Sequence, residues 1–68
     1  MNFTTTFKPA AYPDHQVADA NGEPIGMILW SMNEDHLSWG FRPYQRDVYS
    51  AEELTEIAAF MQTLPPIN

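Results

Sequence analysis

The chain has 68 residues, no cysteine and a formal net charge of −6, with three basic residues against nine acidic ones. This length allows one domain with a thin core, and the absence of cysteine excludes disulfides and thiolate metal sites. The negative charge disfavours duplex DNA and anionic membranes as partners. A hydrophobic fraction of 44% argues against intrinsic disorder despite that charge.

The N-terminal segment lacks the basic region and apolar run of a secretory signal peptide, so we expect a cytoplasmic protein. Residues 2–7 alternate Phe3, Thr5 and Phe7 with two further threonines, which predicts a short edge strand. A frayed tail is the alternative for this segment. Two prolines follow within residues 8–14, which predicts an extended loop there.

The pair Asn21-Gly22 predicts the first hairpin, within a stretch of antiparallel hairpins over residues 15–42. Asn-Gly favours a two-residue type I′ turn because both central residues need a positive φ. Pro24 lacks a backbone N–H, so the strand that follows must place this position at an unpaired point.

The segment Asn33-Glu34-Asp35-His36 predicts a second hairpin. A symmetric reversal there places three pairs of apolar residues opposite each other, and strict alternation puts all six on one sheet face. The predicted pairs are Met32 with Leu37, Trp30 with Trp39, and Ile28 with Phe41.

Residues 43–49 form a predicted connection to a C-terminal helix over residues 51–64. Ser50 and Glu53 have the spacing of a capping box, which marks the start of the helix. Apolar residues then recur at helical spacing and predict one buried stripe, with Phe60 at its border. The stripe consists of Leu54, Ile57, Ala58, Met61 and Leu64.

These elements predict an α+β fold, in which an antiparallel sheet of three to four strands is covered on one face by the helix. We expect the helix on the face that carries Trp30 and Trp39. Alternation then leaves Ile25, Met27 and Leu29 on the opposite face, where solvent would disfavour them. We therefore predict that these three residues contribute to an interaction surface. The alternative is that the N-terminal segment with Phe3 and Phe7 folds over this face and covers them.

The histidines His15 and His36 are the groups that titrate near neutrality. Each follows an acidic residue in a predicted loop, so solvated histidines are a better interpretation than a metal site or an acid–base pair. No metal-binding, nucleophile or phosphate-loop motif is present. We accordingly predict no catalytic residue, no metal and no cofactor.

The segment 41–49 interleaves Arg42 and Arg46 with aromatic residues that include Tyr44. One interpretation is recognition of an anionic or planar ligand by arginine pairing and ring stacking. The other is that the arginines neutralise nearby acidic residues, including the helix glutamates. The net charge favours the second interpretation and disfavours single-stranded nucleic acid, but we retain all three residues as interaction candidates.

The hypothesis that best fits these features is a small, acidic, non-enzymatic interaction protein. It would form a homodimer or dock on a larger protein partner, as an accessory or inhibitory factor. One alternative is an acidic mimic that occupies the nucleic-acid site of another protein. A second alternative is a small ligand-binding or enzymatic domain that uses His36 or the pair Arg42 and Arg46.

Overall fold

The structure is a computed structural model, and it describes residues 1–9 and 12–67. Its strands are β1 (Asn2–Thr6), β2 (Asp14–Ala18), β3 (Pro24–Asn33) and β4 (His36–Pro43), and its helix is α1 (Ala51–Thr63). The strands form one antiparallel sheet in the order β1-β2-β3-β4. The predicted α+β class, with a sheet and one C-terminal helix, is confirmed.

The β3–β4 hairpin has the predicted register, with Trp30 opposite Trp39 and Ile28 opposite Phe41. Helix α1 covers this face of the sheet, and Ile57 is its fully buried residue. The buried core that results is small and joins β2, β3 and α1. It consists of Val17, Ile25, Ile28 and Ile57.

Strand β1 pairs with β2 at one edge of the sheet, and its Phe3 lies opposite Val17. The phenylalanine thereby reaches the helix-covered face and packs against the core. The strand ends at Thr6, one residue earlier than predicted. The predicted loop 8–14 includes residues 10 and 11, which lie outside the described residues, and Asp14 already belongs to β2.

The β2–β3 hairpin turns at the predicted place but with a longer loop. The Asp19 and Glu23 backbones are joined by an N–H···O bond of 2.9 Å, which leaves three residues in the loop rather than two. Only Gly22 has a positive φ there, at 83°. The Asp19 carboxylate also accepts bonds from the backbone N–H of Asn21 and Glu23, and this side-chain cap favours the longer loop.

The predicted position of Ile25 on the uncovered face is wrong. The β2–β3 register shifts between Val17 and Ala18, so that Gly26 pairs with Val17 while Pro24 pairs with Ala18. Ile25 is the extra residue in this bulge, and a bulge redirects the side chain from strict alternation. Ile25 consequently lies in the core, with 4% of its surface exposed.

Gly26 follows the bulge and allows the aromatic ring of Phe41 to cross the strand. A Cβ at this position would lie 2.4 Å from the Phe41 ring and 2.7 Å from the Arg42 carbonyl oxygen. Both distances are far below van der Waals contact, so a side chain here would displace Phe41. The ring can therefore pack edge-on against Tyr49, at a centroid distance of 5.7 Å.

Helix α1 begins with the predicted capping box. The Glu53 backbone N–H donates to the Ser50 hydroxyl, and the Ser50 backbone N–H donates to the Glu53 carboxylate. The inward face differs from the prediction, because Phe60 packs on the core while Leu54 and Ala58 are exposed. None of the helical structure in the described residues is long and apolar enough to cross a membrane.

Candidate interaction surface

The β3–β4 hairpin carries exposed apolar side chains near its turn. Met32 and Leu37 face each other there, on the side of the sheet that α1 covers further along the strands. Their exposed fractions are 65% and 51%, which are high values for apolar residues. The turn itself has two residues, and Glu34 adopts a left-handed φ of 55°.

An open groove of about 430 Å³ lies between the hairpin and the C-terminal half of α1. We call it the hairpin groove. It lies on the helix-covered face, because the tryptophan pair belongs to that face. Its residues are mostly apolar, and they are Trp30, Leu37, Ser38, Trp39, Ala58, Met61, Gln62, Leu64 and Pro66.

The two tryptophans form one wall of the hairpin groove, with ring centroids 5.4 Å apart in an edge-to-face arrangement. The indole N–H of Trp39 donates to the Pro65 carbonyl oxygen at 2.9 Å, which holds the segment after α1 against the groove. The Trp30 indole nitrogen is buried and has no hydrogen-bond partner among the described residues. A buried donor without an acceptor is unfavourable, so the burial of this nitrogen lowers the stability of the fold.

The charges near the hairpin groove are acidic. Glu34 and Asp35 form the hairpin turn beyond Leu37. No lysine or arginine is among the groove-lining residues that the structure describes. An apolar groove with an acidic turn beyond one end is complementary to an apolar segment that has a basic residue beside it.

The two histidines are not brought together. His15 is buried opposite Ile28, whereas the exposed His36 lies opposite Asn33, next to the hairpin turn. Burial lowers the pKa of His15, and the nearby charge of Asp14 only partly opposes that effect. No group of three or more potential metal ligands occurs in the described part of the chain.

His15 instead belongs to a packed cluster below the helix. Its Nδ1 lies 2.9 Å from the Thr5 hydroxyl, and its ring contacts Trp39 and Phe60 at centroid distances of 5.4 and 5.3 Å. A buried, neutral imidazole between two aromatic rings contributes to packing. The expected solvated loop position for His15 is wrong, because the strand β2 begins at Asp14.

Arg46 is directed back onto the helix. Its guanidinium donates to both carboxylate oxygens of Glu53 and lies 5.1 Å from the centre of the Tyr49 ring. Hydrogen bonds from the Ser50 backbone and from Arg46 lower the pKa of Glu53. The pairing of an arginine with a helix glutamate therefore agrees with the second interpretation of this segment.

A second open cleft, of about 630 Å³, brings together three of the predicted interaction residues. Tyr44 and Arg46 lie at its border and the buried Ile25 at its base. Acidic Asp19 and Glu23 also line it, so the cleft has both signs of charge and no strong preference for an anionic ligand.

The sheet face opposite α1 carries the other three predicted residues, Met27, Leu29 and Arg42. Met27 lies opposite Arg42. The side chains of Met27 and Leu29 are half-buried on the central strand β3. No helix or strand of the described residues packs over this face. Most of its remaining side chains are polar or small. These include Thr4, Gln16, Ser31, Asn33, Ser38 and Gly40.

No protein-family model matches this chain, and no curated protein or solved structure shows significant similarity to it. Sequence reasoning did not identify the hairpin groove. The available signal was the pair Met32 and Leu37, which extends the apolar hairpin face by one further step. This pair indicates a groove only when it is known how far α1 covers the hairpin.

Proposed function

We propose that this chain is a non-enzymatic interaction protein that binds a protein partner in the hairpin groove. The occupant would be a segment with one or two large apolar side chains, flanked by lysine or arginine. The observation that carries the proposal is the continuity of exposed Met32 and Leu37 with the apolar groove between the tryptophan wall and α1.

The apolar area supports a specific contact. Full burial of a leucine or methionine side chain contributes about 1.5–3 kcal/mol, and Met32 and Leu37 are half or more exposed in the isolated chain. Aromatic and methionine side chains are enriched at protein interfaces. The hairpin groove contains two tryptophans and Met61.

Charge supports a basic partner rather than mimicry of nucleic acid. Several carboxylates are already paired within the chain, so they are not free to imitate a row of phosphates. Asp14 pairs with Lys8, Glu53 with Arg46, and Glu56 lies 3.8 Å from the N-terminal amine. Asp19 caps the first hairpin loop.

Position-specific photo-crosslinking in the native cells tests the proposal. A benzoyl-phenylalanine replaces Leu37 in one version of the protein and Val48 in the other. Val48 is a suitable control because it is 74% exposed and lies in the connection after the far end of β4. We expect a discrete protein adduct from position 37 and none from position 48. Equal adducts from both positions, or none from either, contradict the proposal.

A further inference from the structure

Strand β1 has one edge without a pairing partner. It bonds to β2 on one side, and no described residue outside β2 makes a backbone hydrogen bond to residues 1–7. An exposed strand edge presents unpaired N–H and C=O groups, and proteins usually protect it with charged residues, proline or a covering segment. Asn2–Thr6 has none of these devices within the strand.

The other edge of the sheet differs in this respect. Strand β4 begins with His36 and ends with Arg42 and Pro43, so a charged side chain and a residue without N–H limit pairing there. The Tyr44 backbone N–H donates to the Ile25 carbonyl oxygen at 3.1 Å, which continues the β3–β4 pairing by one residue beyond Pro43. The β1 edge is therefore the better site for adding a strand.

The sequence of this edge is symmetric. Residues 3–7 read FTTTF, which is identical in both directions about Thr5. A two-fold axis requires that residue i meets residue j while j meets i. An antiparallel pair of β1 strands centred on Thr5 meets this condition with matched side chains. Phe3 of one copy lies opposite Phe7 of the second copy, and Thr4 lies opposite Thr6.

We propose that two copies of this chain associate through their β1 edges, with Thr5 on the two-fold axis, to form a continuous eight-stranded antiparallel sheet. The occupant of the edge is a second copy because the strand is complementary to itself. Directly opposite side chains in an antiparallel pair lie on the same sheet face. Both helices therefore lie on one face of the shared sheet.

This arrangement accounts for the exposure of Phe7. Its side chain is 82% exposed in the isolated chain, the largest value among the exposed apolar residues described. Phe3 lies on the helix-covered face and stacks on Phe60. In the dimer, Phe7 of the second copy is placed beside Phe3 on that face and is removed from water.

The charge distribution also favours a second copy at this edge. Two chains of net charge −6 repel each other, yet residues 2–7 contain no charged side chain. The cations that bound the segment are paired with carboxylates of their own chain. The N-terminal amine lies 3.8 Å from Glu56, and Lys8 pairs with Asp14. Repulsion between copies is therefore weaker here than at the acidic helix surface.

Molar mass in solution tests this proposal. The wild-type chain is expected at twice its 7.8 kDa in light scattering at high micromolar concentration. Phe7→Glu should be monomeric, and it should keep the monomer fold because Phe7 is exposed. Val48→Glu adds the same charge at another exposed site and should remain dimeric. A monomeric wild type, a dimeric Phe7→Glu or two monomeric variants would overturn the proposal.

Disulfide trapping tests the register, since the chain has no cysteine of its own. Opposite Cα atoms of antiparallel strands lie about 4.5–5.5 Å apart, within the disulfide range of about 4.4–6.8 Å. Thr5→Cys should therefore form a covalent dimer in a glutathione buffer. Asn2→Cys is the control, because its copies lie about 20 Å apart at about 3.3 Å per residue. Preferential trapping of the control overturns the register.

The dimer and the hairpin groove are separate surfaces, so their tests can fail independently. Leu37→Glu should leave the molar mass unchanged, because Leu37 lies on β4, at the opposite edge of the sheet from β1. Loss of the dimer in Leu37→Glu, with the fold retained by circular dichroism, would place self-association in the groove and contradict the β1 proposal.

Discussion

Phe3 and Phe60 lie parallel, with ring centroids 4.1 Å apart and an interplanar angle of 1°. This contact joins the first strand to helix α1, and most of the chain lies between the two elements. Strand β1 pairs with β2, and the N-terminal amine before it lies 3.8 Å from Glu56 of α1. The stacked rings add an apolar contact between the N-terminal strand and the helix.

A double-mutant cycle on Phe3 and Phe60 tests this attachment. We expect Phe60→Leu and Phe3→Leu to couple by about 0.5–1.5 kcal/mol, the range for aromatic pairs. The measurement is the free energy of unfolding in urea for the two single variants and the double variant. Strictly additive losses would show that the rings stabilise the fold independently and that their stacking contributes nothing.

The capping box predicts a clear effect of Ser50→Ala. The change removes the hydroxyl acceptor of the Glu53 backbone N–H, 3.1 Å away, and should lower the free energy of unfolding by about 0.5–2 kcal/mol. Thr55→Ala is the matched control, since its hydroxyl only bonds back to the Ala51 carbonyl oxygen within the helix. Thermal melts in which both variants lose the same stability would contradict the cap.

The hairpin turn contains a strained residue that a substitution can relieve. Glu34 has a φ of 55°, and this region costs an L-residue roughly 1–2 kcal/mol. Glu34→Gly should therefore stabilise the chain, by about 0.5–1 kcal/mol after the greater entropy of unfolded glycine is subtracted.

Asp35→Gly is the control for the turn, because Asp35 does not have a positive φ. It gains no relief from glycine and should lose stability. Chemical denaturation of both variants makes the comparison. Stabilisation by Asp35→Gly but not by Glu34→Gly would contradict the backbone conformation of the turn.

The buried His15 predicts how stability changes with pH. Its pKa is lowered in the folded state, mainly by burial, while the unfolded value is about 6.5. Below about pH 6.5 the unfolded chain therefore binds a proton that the folded chain does not. The free energy of unfolding should therefore fall as the pH decreases from 6.5 towards the folded pKa of His15. Above pH 6.5 the full contribution of the neutral imidazole is present.

His15→Gln separates this effect from the carboxylates, which titrate mainly below about pH 5. The variant should be less stable at every pH, because it loses ring packing against Trp39 and Phe60. Its free energy of unfolding should nevertheless change less than that of the wild type between pH 7 and 5.5. Equal slopes would show that His15 is not the group responsible.

Local patterns in the sequence were sufficient for the hairpin pairing and the helix start. Trp30 and Trp39 could be paired because alternation and the position of the turn agree, and both depend on neighbouring residues. Ser50 and Glu53 identify the helix start for the same reason. These interactions involve short separations along the chain, so the sequence alone specifies them.

Tertiary packing determined the features that were predicted wrongly. The burial of Ile25 depends on a bulge between β2 and β3, and bulges have no local signature here. Phe60 rather than Leu54 faces the core because β1 places Phe3 on the helix-covered face, where the two phenylalanine rings stack. The helix is thus rotated about its axis relative to the predicted stripe. This rotation and the position of the helix on the hairpin create the hairpin groove, which could not be located from periodicity.

The most direct test of the hairpin groove is the affinity of the chain for the partner that crosslinking identifies. Intrinsic fluorescence is the readout, because both tryptophans of the chain line the groove. We predict that Leu37→Glu weakens binding about 100-fold, or about 2.7 kcal/mol, because it removes apolar burial and also places a carboxylate that must be desolvated in the contact. Val48→Glu and Met27→Glu, which add the same charge elsewhere, should bind like the wild type. Unchanged affinity in Leu37→Glu, or a loss confined to Met27→Glu on the opposite sheet face, would contradict the account.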